Sequence, residues 1–180
     1  MHESRSGRRA LLIVDVQVGM FHGLEKPYRA EEILENINLL ITRAHDASAP
    51  VFAVRHIGPQ GSPIEPGSPL SQLLPLLAVD ATRDTVFDKT RPNSFFGTGL
   101  ADWLADAGVD ELVIAGLKTE YCIDATCRAA ADLGFRPVLV ADAHSTMDSP
   151  VLPAHTIIAH HNRTLAGAFA TLVDTAQCQF

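Results

Sequence analysis

Three residues in this chain carry side chains able to act on one another. Asp15 ends the apolar run "LLIVDVQ", Lys89 closes "DTVFDK", and Cys122 follows "LVIAG" and the turn "LKTE". A thiol becomes a nucleophile when a base takes its proton or its surroundings favour the thiolate. A carboxylate in a buried run is costly unless it is paired or used, and a nearby ammonium keeps it ionised. Each residue alone has a plainer reading. Cys122 sits near the first turn of a helix, where free N–H groups and the macrodipole favour a thiolate, yet free Cys is also a common core residue. Lys89 alone reads as solvated, and Asp15 alone as a cap or turn acceptor. Position leaves these alternatives open, so the case for chemistry depends on whether the three meet.

The elements that would bring them together alternate. "LLIVDVQ" reads as a strand covered on both faces. "RAEEILENINLLITRAHDAS" places Ile33, Ile37, Leu40, Ile41 and Ala44 on one helical stripe, with acids in its first turn and cations near its end. "PVFAVRH" predicts a second strand, and the Pro/Gly/Ser-rich segment after it, from Ile57 to Pro69, predicts a long irregular loop. "DTVFDK", "DELVIAGL" and "RPVLVADAH" predict three further strands. "GTGLADWLADAG", "TEYCIDATCRAAADLG" and "PAHTIIAHHNRTLAGAFA" predict helices, and "TLVD" a last short strand. Such alternation implies right-handed crossovers and a parallel sheet with helices on both faces. Ligands in these folds bind at the carboxyl ends of the strands, where Asp15, Lys89 and Cys122 all fall.

Composition narrows the partners. With 180 residues, 47% hydrophobic and 19% charged, the chain has the make-up of one globular domain. A net charge of -7 opposes nucleic acid or an anionic membrane as partner, which leaves a small molecule. No stretch is apolar enough to span a bilayer, and "MHESRSGRRA" lacks the apolar centre of a signal peptide, so a cytoplasmic location is expected. Cys122, Cys127 and Cys178 show no metal-type spacing; Cys127 reads as core, and Cys178 carries no signal.

The segments "ALLIVDVQVGMF", "VFDKTRPNSFFGTGLADWLADAGVDELVIAGLKTEYCIDATCRAAADLGFRPVLVADAHST" and "HTIIAHHNRTL" resemble the isochorismatase-like cysteine hydrolases, which include nicotinamidases, other small-amide hydrolases and isochorismatases. The resemblance covers nearly the whole chain. It rests on the strand-end Asp, a Lys followed by S-x-F-x-T-x-L, and the block G-x-x-T-x-x-C-x-x-x-T-x-R-x-A. It implies an α/β, three-layer, Rossmann-like fold with a six-stranded parallel sheet of order 3-2-1-4-5-6, in a single domain over residues 1–180 with 1–8 disordered. It also implies an Asp15, Lys89, Cys122 triad, a cis bond at Leu117–Lys118, an oxyanion hole from the Lys118 and Cys122 amides, and a dimer or larger homo-oligomer.

Departures from the family pattern shape the expected substrate. Nicotinamidases in the family carry a metal cluster with an Asp-x-His pair after the second strand, whereas this chain has "VRHIGPQGSP" with His56 alone. No metal and no other cofactor are therefore expected. Isochorismatases cleave a vinyl ether and typically lack the nucleophilic Cys, so Cys122 favours amide hydrolysis through a thioester. Phe21, His56, Phe95 and Tyr121 are expected to wall the pocket. His144 in "DAHST" is expected to hydrogen-bond and shape its loop, and adjacent His160 and His161 project too far apart to share a ligand. The rival readings are an isochorismatase-type hydrolase and a thiol-reactive redox protein. A dinucleotide-binding enzyme is weak, because no G-x-G-x-x-G follows the first strand.

Overall fold

The computed structural model describes residues 7–23 and 25–180. Of the expected disordered segment, residues 1–6 lie outside the described residues. Gly7 and Arg8 are described, and the Arg8 carbonyl accepts from the Asp110 and Glu111 amides at 3.1 and 3.2 Å.

The strands are β1 (Arg9–Val14), β2 (Val51–His56), β3 (Thr85–Lys89), β4 (Glu111–Leu117), β5 (Arg136–Ser145) and β6 (Thr171–Val173). All neighbouring pairs run parallel, in the order β3-β2-β1-β4-β5-β6. This is the expected doubly wound arrangement, and its direction reverses between β1 and β4. At that switch point the crossovers leave on opposite faces of the sheet and open a crevice above the strand ends.

The near-continuous apolar sequence of β1 follows from its central place, where alternate residues enter different cores. Leu11 and Ile13 pack with Ile33, Ile37, Leu40, Ile41 and Ala44 of the helix α2 (Ala30–Asp46), the stripe read from the sequence. Ala10, Leu12 and Val14 enter the opposite cluster. There they meet Leu100 and Leu104 of α3 (Leu100–Asp106) and Cys127 and Ala130 of α4 (Asp124–Asp132), with Leu165 of α5 (Ala154–Leu165) in the same cluster. No helix among the described residues is long and apolar enough to cross a membrane.

Several boundaries differ from the sequence reading. β1 stops at Val14 because Asp15 turns into the left-handed region at φ 53°, a conformation Asp tolerates better than most residues. The chain then makes a four-residue helix, α1 (Val18–Phe21), where no element was expected. The helix read from Thr119 to Gly134 is two pieces, a π-helical turn at Thr119–Ile123 and then α4. The last helix stops at Leu165, and residues 166–170 form a tight turn closed by a bridge between Ala166 and Ala170. Cys178 is fully buried against the α2 side of the sheet, although the C-terminal sequence is polar.

Gly116 shows how closely the two central strands approach. It has φ 123°, and a Cβ there would lie 2.1 Å from the Val14 carbonyl oxygen. Both the backbone angle and the space exclude a side chain. Gly116→Ala is expected to destabilise the fold by about 3 kcal/mol or more, read as a lowered denaturation midpoint at unchanged slope.

Candidate active site

Four chemistry-bearing residues end four adjacent strands. Asp15 follows β1, His56 is the last residue of β2, Lys89 is the last of β3, and Cys122 follows β4 in the π-helical turn. His56 and Lys89 are register partners across the β2–β3 ladder, so their side chains leave the sheet on one face. The left-handed turn at Asp15 keeps its amide bonded to Val54 O at 3.0 Å while its side chain departs from the strand alternation. Cys122 comes from the turn closed by the Ile123 amide on Lys118 O at 3.1 Å. Insertions of this kind recur at functional sites.

Lys89 is the centre of the cluster. Its Nζ donates to Asp15 Oδ2 at 2.9 Å and to Cys122 Sγ at 3.1 Å. It also lies 3.3 Å from both His56 Nδ1 and the Arg91 carbonyl. The side chains of Lys89 and Asp15 are completely buried, and Cys122 is 5% exposed. An ammonium has only donors, so His56 Nδ1 accepts and the ring carries its proton on Nε2. Burial first and Lys89 second hold the His56 pKa below its usual value, which keeps that ring neutral.

Burial raises the Asp15 carboxyl above its ordinary range, while Lys89 pulls it back. The Cys122 thiol is pushed up to about 12, by burial first and by Asp15 second, and Lys89 opposes both. Both causes oppose the thiolate that the helix start favours, one of the two alternatives that position left open. Desolvation and a carboxylate outweigh the turn's dipole, and the proton stays on sulfur. Asp15 Oδ1 is buried and has no hydrogen-bond partner among the described residues, which makes it an acceptor suited to that proton.

Ligand atoms of Asp15, His56 and Cys122 lie within 4.8 Å of one another, a spacing that in number suits a metal ion. The Lys89 ammonium, however, is at 2.9, 3.3 and 3.1 Å from those same three side chains. A divalent ion bound by this set would stand beside an equally buried positive charge. These residues do not fit a metal while Lys89 keeps its place.

Other expected residues fall in different surroundings. Phe21 is buried in the α2-side core, and Phe95 stacks on Phe135 at 5.8 Å in the other. Tyr121 is exposed beside Cys122, and Lys118 is half-buried after the cis bond at Leu117–Lys118. Cys127 is fully buried. His161 bonds back to Ile157 O at 2.8 Å, and the rings of His160 and His161 meet edge to face.

Gln17 was not singled out in the sequence. Its Nε2 donates to Ser71 O at 2.8 Å and His56 O at 3.1 Å, and its Oε1 accepts from the His56 amide at 2.8 Å. It pins the end of β2 and the long loop to the turn after Asp15. A polar amide two residues beyond Asp15, in an otherwise apolar run, was the available signal. Ser94 and Thr126, both inside quoted motifs, bond to each other at 3.0 Å and tie the loop after Lys89 to the helix after Cys122.

A parallel sheet with a thiol, a carboxylate and an ammonium converging at its switch point defines the class, a Rossmann-like protein built around a buried cysteine centre. The family model for the isochorismatase domain matches residues 9–177. Streptothricin hydrolase of Streptomyces noursei is 39% identical over 81% of this chain, and this chain spans about half, 52%, of that protein's length. The isochorismatase family protein YddQ of Bacillus subtilis is 32% identical over 92% of this chain and 96% of its own. A crystal structure of an isochorismatase family protein superposes with a TM-score of 0.86 at 35% identity, covering 93% of this chain and 98% of the other. The chain belongs to the isochorismatase family, within the isochorismatase- and nicotinamidase-like hydrolase superfamily.

One buried histidine supports the nucleophile's turn. His144 Nε2 and Nδ1 each lie 2.8 Å from a partner, Asn162 Oδ1 and Thr119 Oγ1. Burial lowers its pKa to about 4. A histidine held neutral in the fold binds its proton more readily when unfolded, so its contribution is complete above the unfolded pKa near 6.5 and is lost as pH falls toward 4. Between those limits the wild type is expected to lose on the order of 3 kcal/mol through this group. Denaturation curves of wild type and His144→Gln across pH 4 to 7 check this, the variant lacking that part of the slope.

Proposed function

We propose that this chain is a cysteine-dependent hydrolase that cleaves the carbon–nitrogen bond of a small amide through a thioester on Cys122. The observation that carries the reading is the cluster itself, with Lys89 Nζ within 3.1 Å of both Asp15 and Cys122 in a buried site. A thiol pushed up to about 12 needs a base beside it, and a carboxylate raised by burial is a better base than one in water.

In this reading Asp15 takes the Cys122 proton as sulfur attacks the acyl carbon. The amides of Lys118 and Cys122 receive the developing oxyanion. Collapse breaks the C–N bond, and Asp15 passes its proton to the departing amine. Water then gives a proton to Asp15 as its oxygen attacks the thioester, the acid leaves, and sulfur recovers its proton. Lys89 offsets the charge of Asp15 and of the sulfur in turn. His56 and Tyr121 line the approach, and Phe21 and Phe95 support it from the two cores.

Residues 1–180 are read as one domain working in the cytoplasm as a homo-oligomer. Phe96 and Tyr121, 62% and 57% exposed, favour association. Sedimentation is expected to give two or four times the 19.4 kDa of one chain; a monomer at micromolar concentration argues against the assembly.

Cys122→Ala and Asp15→Asn are each expected to lower kcat/KM on amides by about 1,000-fold or more with the circular dichroism spectrum retained. Mass spectrometry of wild type quenched during turnover is expected to show the acyl mass on the Cys122 peptide. Amide turnover by Cys122→Ala at the wild-type rate would refute the covalent scheme. Isochorismate cleavage by that variant would favour the vinyl ether reading, and an oxidised Cys122 with no acyl adduct would favour the redox one.

A further inference from the structure

The long loop after β2 forms a wall next to the cluster. It runs through Ile64 to a single 3-10 turn at Pro69–Ser71 and lies against α1. The approach is close because α1 carries Gly19. A Cβ there would meet the Leu70 carbonyl oxygen at 3.0 Å, Leu70 Cβ at 3.3 Å and Ile64 Cγ2 at 3.7 Å. Between loop and helix is a cleft of about 60 Å³ lined by Gln17, Gly19, Met20, His56, Ile64 and Leu70.

His56 joins this cleft to the reaction centre. It is one of the cleft's lining residues, and its Nδ1 lies 3.8 Å from Cys122 Sγ and 3.3 Å from Lys89 Nζ. The remaining polar lining residue is engaged elsewhere, since Gln17 spends its amide on Ser71 O, His56 O and the His56 amide. Met20, Ile64 and Leu70 present hydrocarbon. Among the described residues no Lys, Arg, Asp or Glu lines the cleft, so these residues offer a charged ligand group no counter-ion.

We propose that this cleft receives the acyl substituent of the substrate and limits it to a short, uncharged aliphatic group. The assignment rests on the hydrolase reading above. Its physical basis is size and residence. A volume near 60 Å³ falls several-fold short of a drug-sized pocket. The acyl group stays on sulfur after the amine departs, so a cleft that shares His56 with the cysteine centre suits the part that stays.

The test is a series of primary amides of growing acyl size, acetamide, propanamide, butanamide and phenylacetamide, with wild type, Leu70→Ala and Ile64→Ala. In wild type kcat/KM is expected to be highest for the two- or three-carbon acyl groups and at least 10-fold lower for phenylacetamide. Either variant is expected to raise the ratio of kcat/KM for phenylacetamide over acetamide about 10-fold or more. Equal wild-type activity on phenylacetamide and acetamide overturns the proposal. So does a size limit that follows N-alkyl substituents of acetamide instead of the acyl group. Absence of turnover and of any Cys122 adduct across the whole series overturns the hydrolase reading, and the cleft's assignment with it.

Discussion

The ion pair between Lys89 and Asp15, 2.9 Å long with both side chains fully buried, is the constraint that the rest of the site obeys. Removing two charges from water costs several kcal/mol each, and a buried pair recovers this only with good geometry and further hydrogen bonds. The fold supplies both. Asp15 turns out of its strand in a left-handed conformation, and the other two N–H groups of Lys89 meet Cys122 and, shared at 3.3 Å, His56 and the Arg91 carbonyl. Such a pair adds little to net stability compared with apolar packing of the same volume. Its retention at the switch point of the sheet fits a role in chemistry.

The pair also explains why the thiol is kept protonated. One ammonium beside one carboxylate leaves nearly neutral surroundings, so burial dominates at Cys122 and lifts its pKa to about 12. A cysteine activated as a resting ion pair with a histidinium would need the opposite balance. Here the neighbouring histidine is itself held neutral by burial and by Lys89. Proton transfer must then accompany attack, and the base has to be the carboxylate already in place.

The alternation of strands and helices, the α2 stripe and the strand-end positions of Asp15, Lys89 and Cys122 were legible in the sequence because they depend on patterns with fixed periods, whereas the sheet order was implied by the family resemblance. Ile33, Ile37, Leu40, Ile41 and Ala44 are buried as their 3.6-residue spacing requires. What could not be read depends on contacts between distant segments. The π-helical turn at Thr119–Ile123 and the short α1 carry no periodic signature. Gln17 acts through Ser71 and His56, 54 and 39 residues away. Burial of Cys178 likewise needs the C-terminal segment to fold back on α2, which a polar sequence does not announce.

Distance in sequence also separates the two kinds of specificity in the site. Residues that handle protons sit on strand ends, where the backbone ladder fixes them: His56 faces Lys89 as a register partner. Residues that meet the substrate's substituent, Ile64 and Leu70, sit on a loop held to the sheet by the side chain of Gln17 and by the bare backbone at Gly19. Loop changes between those two anchors can reshape the cleft without moving Asp15, Lys89 or Cys122. A fold of this kind can therefore hold one reaction centre constant while the accepted acyl group changes.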